Sequence, residues 1–224
     1  MKIAIVTSIF NYDDYQPLHR PNTVFGEADY FAFLDKRQPV TGWNQIISPS
    51  FSLDESYRGR RDAKIYKILP HLFLKDYDFW IWTDPTHEVT VNPVELCKML
   101  GDKEIGVFKH TSRTCAYEEA LEVNRLKYDH PRLLRDQLDF YRNRGFPQNY
   151  GLYELPTFVR KNTDKVQAMN MRWWELICRY SSRDQISFPF ILWSMSIDPY
   201  IFDGFANGGL NANQYIPQTR YKFS

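Results

Sequence analysis

A mostly parallel α/β sheet with helices on both faces is the fold class this sequence predicts, and three observations carry it. Ile3 to Ser8 is a short apolar, β-branched run at the start of the chain, the pattern of a parallel strand buried on both faces. Phe79 to Thr83 (FWIWT) is a second apolar run without alternation, and it stops abruptly at Asp84-Pro85. Between and after these runs, strand-like segments alternate with helical ones for most of the chain, which is the signature of parallel strands joined by crossover helices.

Taken in order, Asp29–Leu34 and Trp43–Ile47 read as the second and third strands. Arg60–Leu74 reads as a helix with an apolar side from Ala63, Ile65, Tyr66, Ile68 and Leu69, and with a break at Pro70, whose ring and missing N–H do not fit a helix interior. After the Phe79–Thr83 strand come a short helix over Pro93–Leu100, started by a proline where the lost N–H costs little, and a strand over Ile105–Phe108. Helices follow at Ala116–Val123 and Pro131–Arg144, the latter closed by Gly145. Then come a strand at Leu155–Arg160 and helices at Val166–Tyr180 and Gln185–Met195, the last despite Pro189. From about Gly204 the chain is rich in Gly, Asn and Gln and reads as an irregular tail. The length of 224 residues suits one domain. We expect a first half over about 1–108 and a second half with the tail over about 109–224.

Composition narrows the function classes. A formal net charge of +1 gives no basic field for general nucleic-acid binding. Aromatic residues make up 17% of the chain, which supplies either a large aromatic core or flat faces for sugars and bases. Cys97, Cys115 and Cys178 are widely spaced and odd in number, a pattern of free thiols in a reducing compartment. The N-terminus turns acidic too soon for a secretory leader, and no apolar run is long enough for a transmembrane segment. These features lead to the expectation of a cytoplasmic protein, or of a domain cut from a longer chain.

Several residues stand where chemistry is expected. Asp84 follows a buried strand, at the edge where open α/β sheets bind ligands. It can hold Mg²⁺ or Mn²⁺, or it can simply start a turn. Arg60 and Lys64 are four apart on one helix face, able to clamp a diphosphate or to sit in solvent. His110, Arg113, Tyr117, Glu118 and Glu119 cluster after the Ile105–Phe108 strand; the two glutamates also suit the N-terminal end of a helix dipole. Ser182-Arg183-Asp184-Gln185 fits a capping box, which starts a helix and places Asp184 and Gln185 in its first turn.

The segments RRDAKIYKILPHLFLKDYDFWIWTD (60–84), KHTSRTCAYEEA (109–120) and MRWWELICRYSSRDQISFPFILW (171–193) resemble a glycosyltransferase-like family, with plant and bacterial members, long catalogued as a domain of unknown function. With what lies between them they cover about 130 residues. The resemblance implies a GT-A fold, a Rossmann-like nucleotide-sugar half fused to an acceptor half. It implies transfer of a sugar from a UDP- or GDP-sugar to a hydroxyl of a glycan or other acceptor, in the manner of hexosyltransferases. It also implies a donor site formed by Thr7, Phe10, Asn11, Arg60, Lys64 and Asp84, with Asp184, Gln185 and Glu118 as catalytic residues. His110, Arg113, Tyr117 and Arg183 would line the acceptor cleft. Asp84 matches the first acid of the GT-A Asp-x-Asp element, a ligand for Mn²⁺ or Mg²⁺; the second acid is replaced by Thr86, with His87 or Glu88 as the nearest substitutes. No histidine follows His130 to act as the late metal ligand of many GT-A enzymes. The broken motif leaves a second reading open, a sugar- or nucleotide-binding module without turnover. A nucleotidyltransferase would need a glycine-rich phosphate loop, and residues 7–16 contain no glycine.

Overall fold

The computed structural model describes residues 1–10, 18–51 and 58–204. Asn11 and the tail beyond Gly204 lie outside the described residues. The elements are β1 (Ile3–Ile9), β2 (Asp29–Leu34), β3 (Asn44–Ile47), α1 (Arg58–Ile68), α2 (Pro70–Phe73), β4 (Phe79–Thr83), α3 (Pro93–Met99), β5 (Ile105–Lys109), α4 (Ala116–Arg125), α5 (Pro131–Asn143), β6 (Tyr153–Lys161), α6 (Asp164–Arg179), α7 (Asp184–Ser194) and β7 (Tyr200–Ile201). Pro70 breaks the long helical stretch as expected, opening α2 just past the end of α1. Gly145 follows α5 with φ of 74°, a conformation glycine adopts without a Cβ penalty.

The strands form one sheet in the order β3-β2-β1-β4-β6-β5-β7. β1, β2, β3 and β4 are parallel, and β6 is antiparallel to both of its neighbours, β4 and β5. The sheet is therefore mostly parallel, with β6 reversed. Chain order leaves β1 in one direction towards β2 and β3, then returns to the other side of β1 at β4. That change of direction creates a crevice at the carboxyl ends of β1 and β4.

Alternation along the strands divides the core. Ala4, Val6, Trp80, Trp82 and Phe158 point to one face and pack with Ile68, Met169, Trp173 and Phe188 of the helices there. Ile3, Ile5, Ile81 and Val159 point to the other face, against Leu96, Cys97 and Leu100 at α3. Helices thus cover both faces unequally. The aromatic content goes mainly into packing: Phe33 stacks on Tyr66 at 4.2 Å, Tyr141 on Phe190 at 4.2 Å, and Trp173 meets Phe188 at 4.8 Å.

Candidate active site

A cavity of about 370 Å³ opens at the carboxyl end of β4. It is lined by Lys64 and Lys67 from α1, by Asp84, Thr86 and His87 after β4, by His110 and Thr111 after β5, by Glu154 to Pro156 of β6, and by Arg183, Asp184 and Gln185 at the start of α7. The reversed direction of β6 explains Glu154: its N-terminal end, not its C-terminal end, lies beside the ends of β4 and β5. Two backbone bonds fix this junction, Asp84 N–H to the Pro156 carbonyl at 2.6 Å and His110 N–H to the Leu152 carbonyl at 2.9 Å.

Four side chains form the charged centre. Lys64 and Lys67 each place Nζ 2.6 Å from Oδ2 of Asp184, and Lys67 also lies 3.5 Å from Oδ1 of Asp84. The indole N–H of Trp82 donates to the same Asp84 oxygen at 2.7 Å. Lys67 is buried at 2% exposure, whereas Asp84 is 37% exposed and faces the opening. Burial would raise the Asp184 carboxyl, but the two ammonium groups outweigh it and hold that carboxyl well below the usual carboxylate range. Burial pushes Lys64 down to about 8 despite Asp184. For Lys67 burial acts downward too, yet Asp184 and Asp84 together raise it, so it stays charged.

Arg183 lines the same cavity, and its Nε is buried without a hydrogen-bond partner among the described residues. Its guanidinium lies over the Tyr128 ring, 5.5 Å from the centroid. Gln185 donates through Nε2 to the Tyr153 carbonyl at 3.4 Å. His110 accepts at Nδ1 from the backbone N–H groups of Ser112 and Arg113, both at 3.1 Å, which fixes the imidazole proton on Nε2. Burial lowers its pKa, so it is a neutral donor near pH 7.

The structure therefore brings Lys64, Asp84, His110, Arg183, Asp184 and Gln185 together and places the other expected site residues that it describes, Asn11 not being among them, elsewhere. Arg60 donates to the Tyr128 carbonyl, so the pair that meets the cavity is Lys64 with Lys67, not Arg60 with Lys64. Arg113 forms an ion pair with buried Glu119 at 2.7 Å. Tyr117 is buried and donates to the Phe146 carbonyl at 2.8 Å. Glu118 is exposed on α4 and does not line the cavity. Thr7 is fully buried within β1, and Phe10 stacks on Tyr66 at 5.6 Å in the core. The capping box does not form: Ser182 donates to Asp129 at 3.0 Å, and Arg183 is the N-cap with no side-chain capping bond. Asp129, also bonded by Ser181, takes over the task of fixing this loop. Lys67 and Glu154 were missed as site residues. Lys67 was legible as an i, i+3 partner of Lys64; Glu154 had no local signal.

The side chains around Asp84 do not fit the Mn²⁺ or Mg²⁺ expected there. One Asp84 oxygen is held by Trp82 and Lys67. The Thr86 hydroxyl is turned onto Nδ1 of His87 at 2.9 Å. Glu88 is buried and accepts from Asn22 at 2.6 Å and from the Thr23 N–H at 2.9 Å. Among the described residues, no three His, Cys, Asp or Glu side chains group as metal ligands.

A mixed sheet with one reversed strand and a polar cavity at the switch in strand order defines a domain of the GT-A-like class. The crystal structure of mouse xyloside xylosyltransferase 1 in its apo form shares this fold, with a TM-score of 0.54 and 9% identity over 91% of this chain and 86% of that one. The model of the TOD1/MUCI70 glycosyltransferase-like domain matches residues 32–207, and the chain belongs to this family. It is 27% identical over 169 residues to a protein of Arabidopsis thaliana described as a probable hexosyltransferase MUCI70. That match covers 69% of this chain and 28% of the Arabidopsis protein. Among the described residues, no helix is long and apolar enough to cross a membrane.

Proposed function

We propose that this domain transfers a hexosyl or related sugar from a nucleoside diphosphate sugar, of the UDP or GDP type, to an acceptor hydroxyl. The observation that carries the reading is the convergence of Lys64, Lys67 and Arg183 with Asp84 and Asp184 in one polar cavity at the sheet's switch point. Glycosyl transfer expels a diphosphate, and fixed cations beside the leaving oxygens lower that barrier because they need no reorganisation when charge develops. Family membership and the hexosyltransferase and xylosyltransferase names of the two relatives support the same class of reaction.

In this reading Lys64, Lys67 and Arg183 face the diphosphate. Asp184 orients both lysines; a carboxylate held so far down accepts a proton poorly, so its role is positioning rather than general base. Asp84 and Gln185 supply hydrogen bonds to sugar or acceptor hydroxyls, while the Nε2–H of His110 faces the buried Glu119 carboxylate at 4.0 Å. Glu118 on exposed α4 has no part.

The test is a panel of UDP- and GDP-sugars followed by melting temperature and by nucleotide release. A donor at a hundredfold over its Kd should stabilise the fold by about 2.7 kcal/mol. One donor should both raise Tm and be consumed. A panel with neither effect overturns the proposal, and binding without any transfer or hydrolysis identifies a non-catalytic binding module instead.

A further inference from the structure

We infer that the cation at this sheet edge is built into the chain: Lys67, with Lys64 and Arg183, takes the place of a divalent ion, and the domain binds its diphosphate donor without Mg²⁺ or Mn²⁺. The inference rests on the transferase reading and deepens it by stating what neutralises the donor.

The seat in question lies against Asp84. A hard cation there would need several oxygen ligands at close range. Instead, the Lys67 ammonium sits between Asp84 and Asp184, at 3.5 and 2.6 Å. Ring faces hold it as well: the Trp82 and Phe158 centroids are 5.3 and 5.8 Å from its Nζ. Trp82 adds its own N–H to the same Asp84 oxygen, Oδ1, that Lys67 faces. A divalent ion brought to Asp84 would meet a buried like charge a few ångströms away and would find one of the two carboxylate oxygens already bonded to an indole N–H.

The same arrangement suits an anion. An ammonium group carries three donors. Lys64 is directed to Asp184 but remains 19% exposed towards the cavity, so its other donors can turn to a phosphate oxygen. Arg183 adds a third cation to the cavity wall, and its Nε has no acceptor among the described residues. Its planar guanidinium fits phosphate better than an ammonium does. α7 also begins here, so its dipole adds partial positive charge at the cavity wall.

Isothermal titration of the protein with UDP and with GDP, in excess chelator and again in Mn²⁺, tests this, together with Mn²⁺ titration of the protein alone. We expect one nucleotide to bind in chelator with a Kd within about threefold of its value in Mn²⁺. Lys67→Met should weaken that binding by about tenfold or more through the lost charge-assisted bonds. Since Lys67 is buried, Lys64→Gln and Arg183→Gln serve as the more accessible variants, each expected to weaken binding about tenfold. Nucleotide binding that disappears in chelator, or stoichiometric Mn²⁺ uptake abolished by Asp84→Asn, overturns the inference and leaves the transferase reading standing. No nucleotide binding in either condition overturns both.

Discussion

Two buried cations lie within a few residues' reach of the end of α1, and they are partnered differently. Lys67, 2% exposed, faces the carboxylates of Asp84 and Asp184. Arg160 of β6, 1% exposed, faces no carboxylate in its hydrogen bonds: it donates to the carbonyls of Lys67 and Ile68 and to the side chain of Asn170 at 2.7 Å. The consequence appears in their protonation. Burial without a counter-charge lowers Arg160 to about 9, whereas Lys67 is raised against the same burial by two acids. Arg160 caps the last carbonyls of a helix through its two terminal nitrogens, a structural task done with neutral acceptors, and its buried Nε has no partner among the described residues. Lys67 joins a charge network open to solvent through Asp84 and Lys64, an arrangement a charged ligand can enter. What a buried charge is paired with, more than its burial, separates scaffold from site here.

Substitutions can break or sharpen this contrast. The largest effect is expected from Arg160→Leu, which leaves the Lys67 and Ile68 carbonyls and Asn170 without their donor. Stability in urea denaturation should fall by about 4 kcal/mol, while the nucleotide affinity of the folded fraction changes little. If affinity instead collapses with stability intact, Arg160 belongs to the site and the contrast fails. Asp184→Asn comes next: two buried ammonium groups lose their shared counter-charge, at a cost of about 3 kcal/mol. Turnover and the affinity of the folded protein for UDP or GDP should fall with it, because Asp184 orients both lysines and holds their protons against burial.

A smaller effect concerns pH. Lys64 is lowered to about 8 by burial and by the nearby Lys67, against the pull of Asp184 and Asp84. Raising pH through about 8 therefore removes a cation from the cavity, and nucleotide affinity should drop several-fold, with Lys64→Arg flattening the profile. The sign for stability is opposite. Because its folded value lies below its unfolded one, the unfolded chain holds the proton more tightly, and this group's contribution to stability rises from pH 8 towards about 10.4. The smallest effect is Glu118→Gln, expected within about 0.5 kcal/mol of the parent in stability and unchanged in turnover, since that side chain is exposed away from the cavity.

Much of the scaffold was legible locally. The un-alternating run FWIWT identified a buried strand, and a carboxylate at its end was correctly placed at a cavity. The i, i+4 rule selected Arg60 with Lys64, but it gives neighbours on a helix without saying which neighbours turn inward. Packing of α1 against β1 and α6 sends Arg60 to the Tyr128 carbonyl and Arg61 to the carbonyls of Ile177 and Tyr180, leaving Lys64 and Lys67 at the cavity. In the same way Ser182 looked like a helix cap until Asp129, 53 positions away in sequence, claimed its hydroxyl.

The sequence alone determined the approximate position of every element but β7, the parallel character of the first strands, and the presence of acids and bases at strand and helix ends, because periodicity, proline and chain-end chemistry act over a few residues. The tertiary structure decided that β6 runs backwards and brings Glu154 to the cavity, that one acid serves two lysines, and that an ammonium occupies the seat beside Asp84. Those outcomes depend on strand direction, helix rotation and the competition of distant groups for the same oxygen, none of which a local pattern encodes.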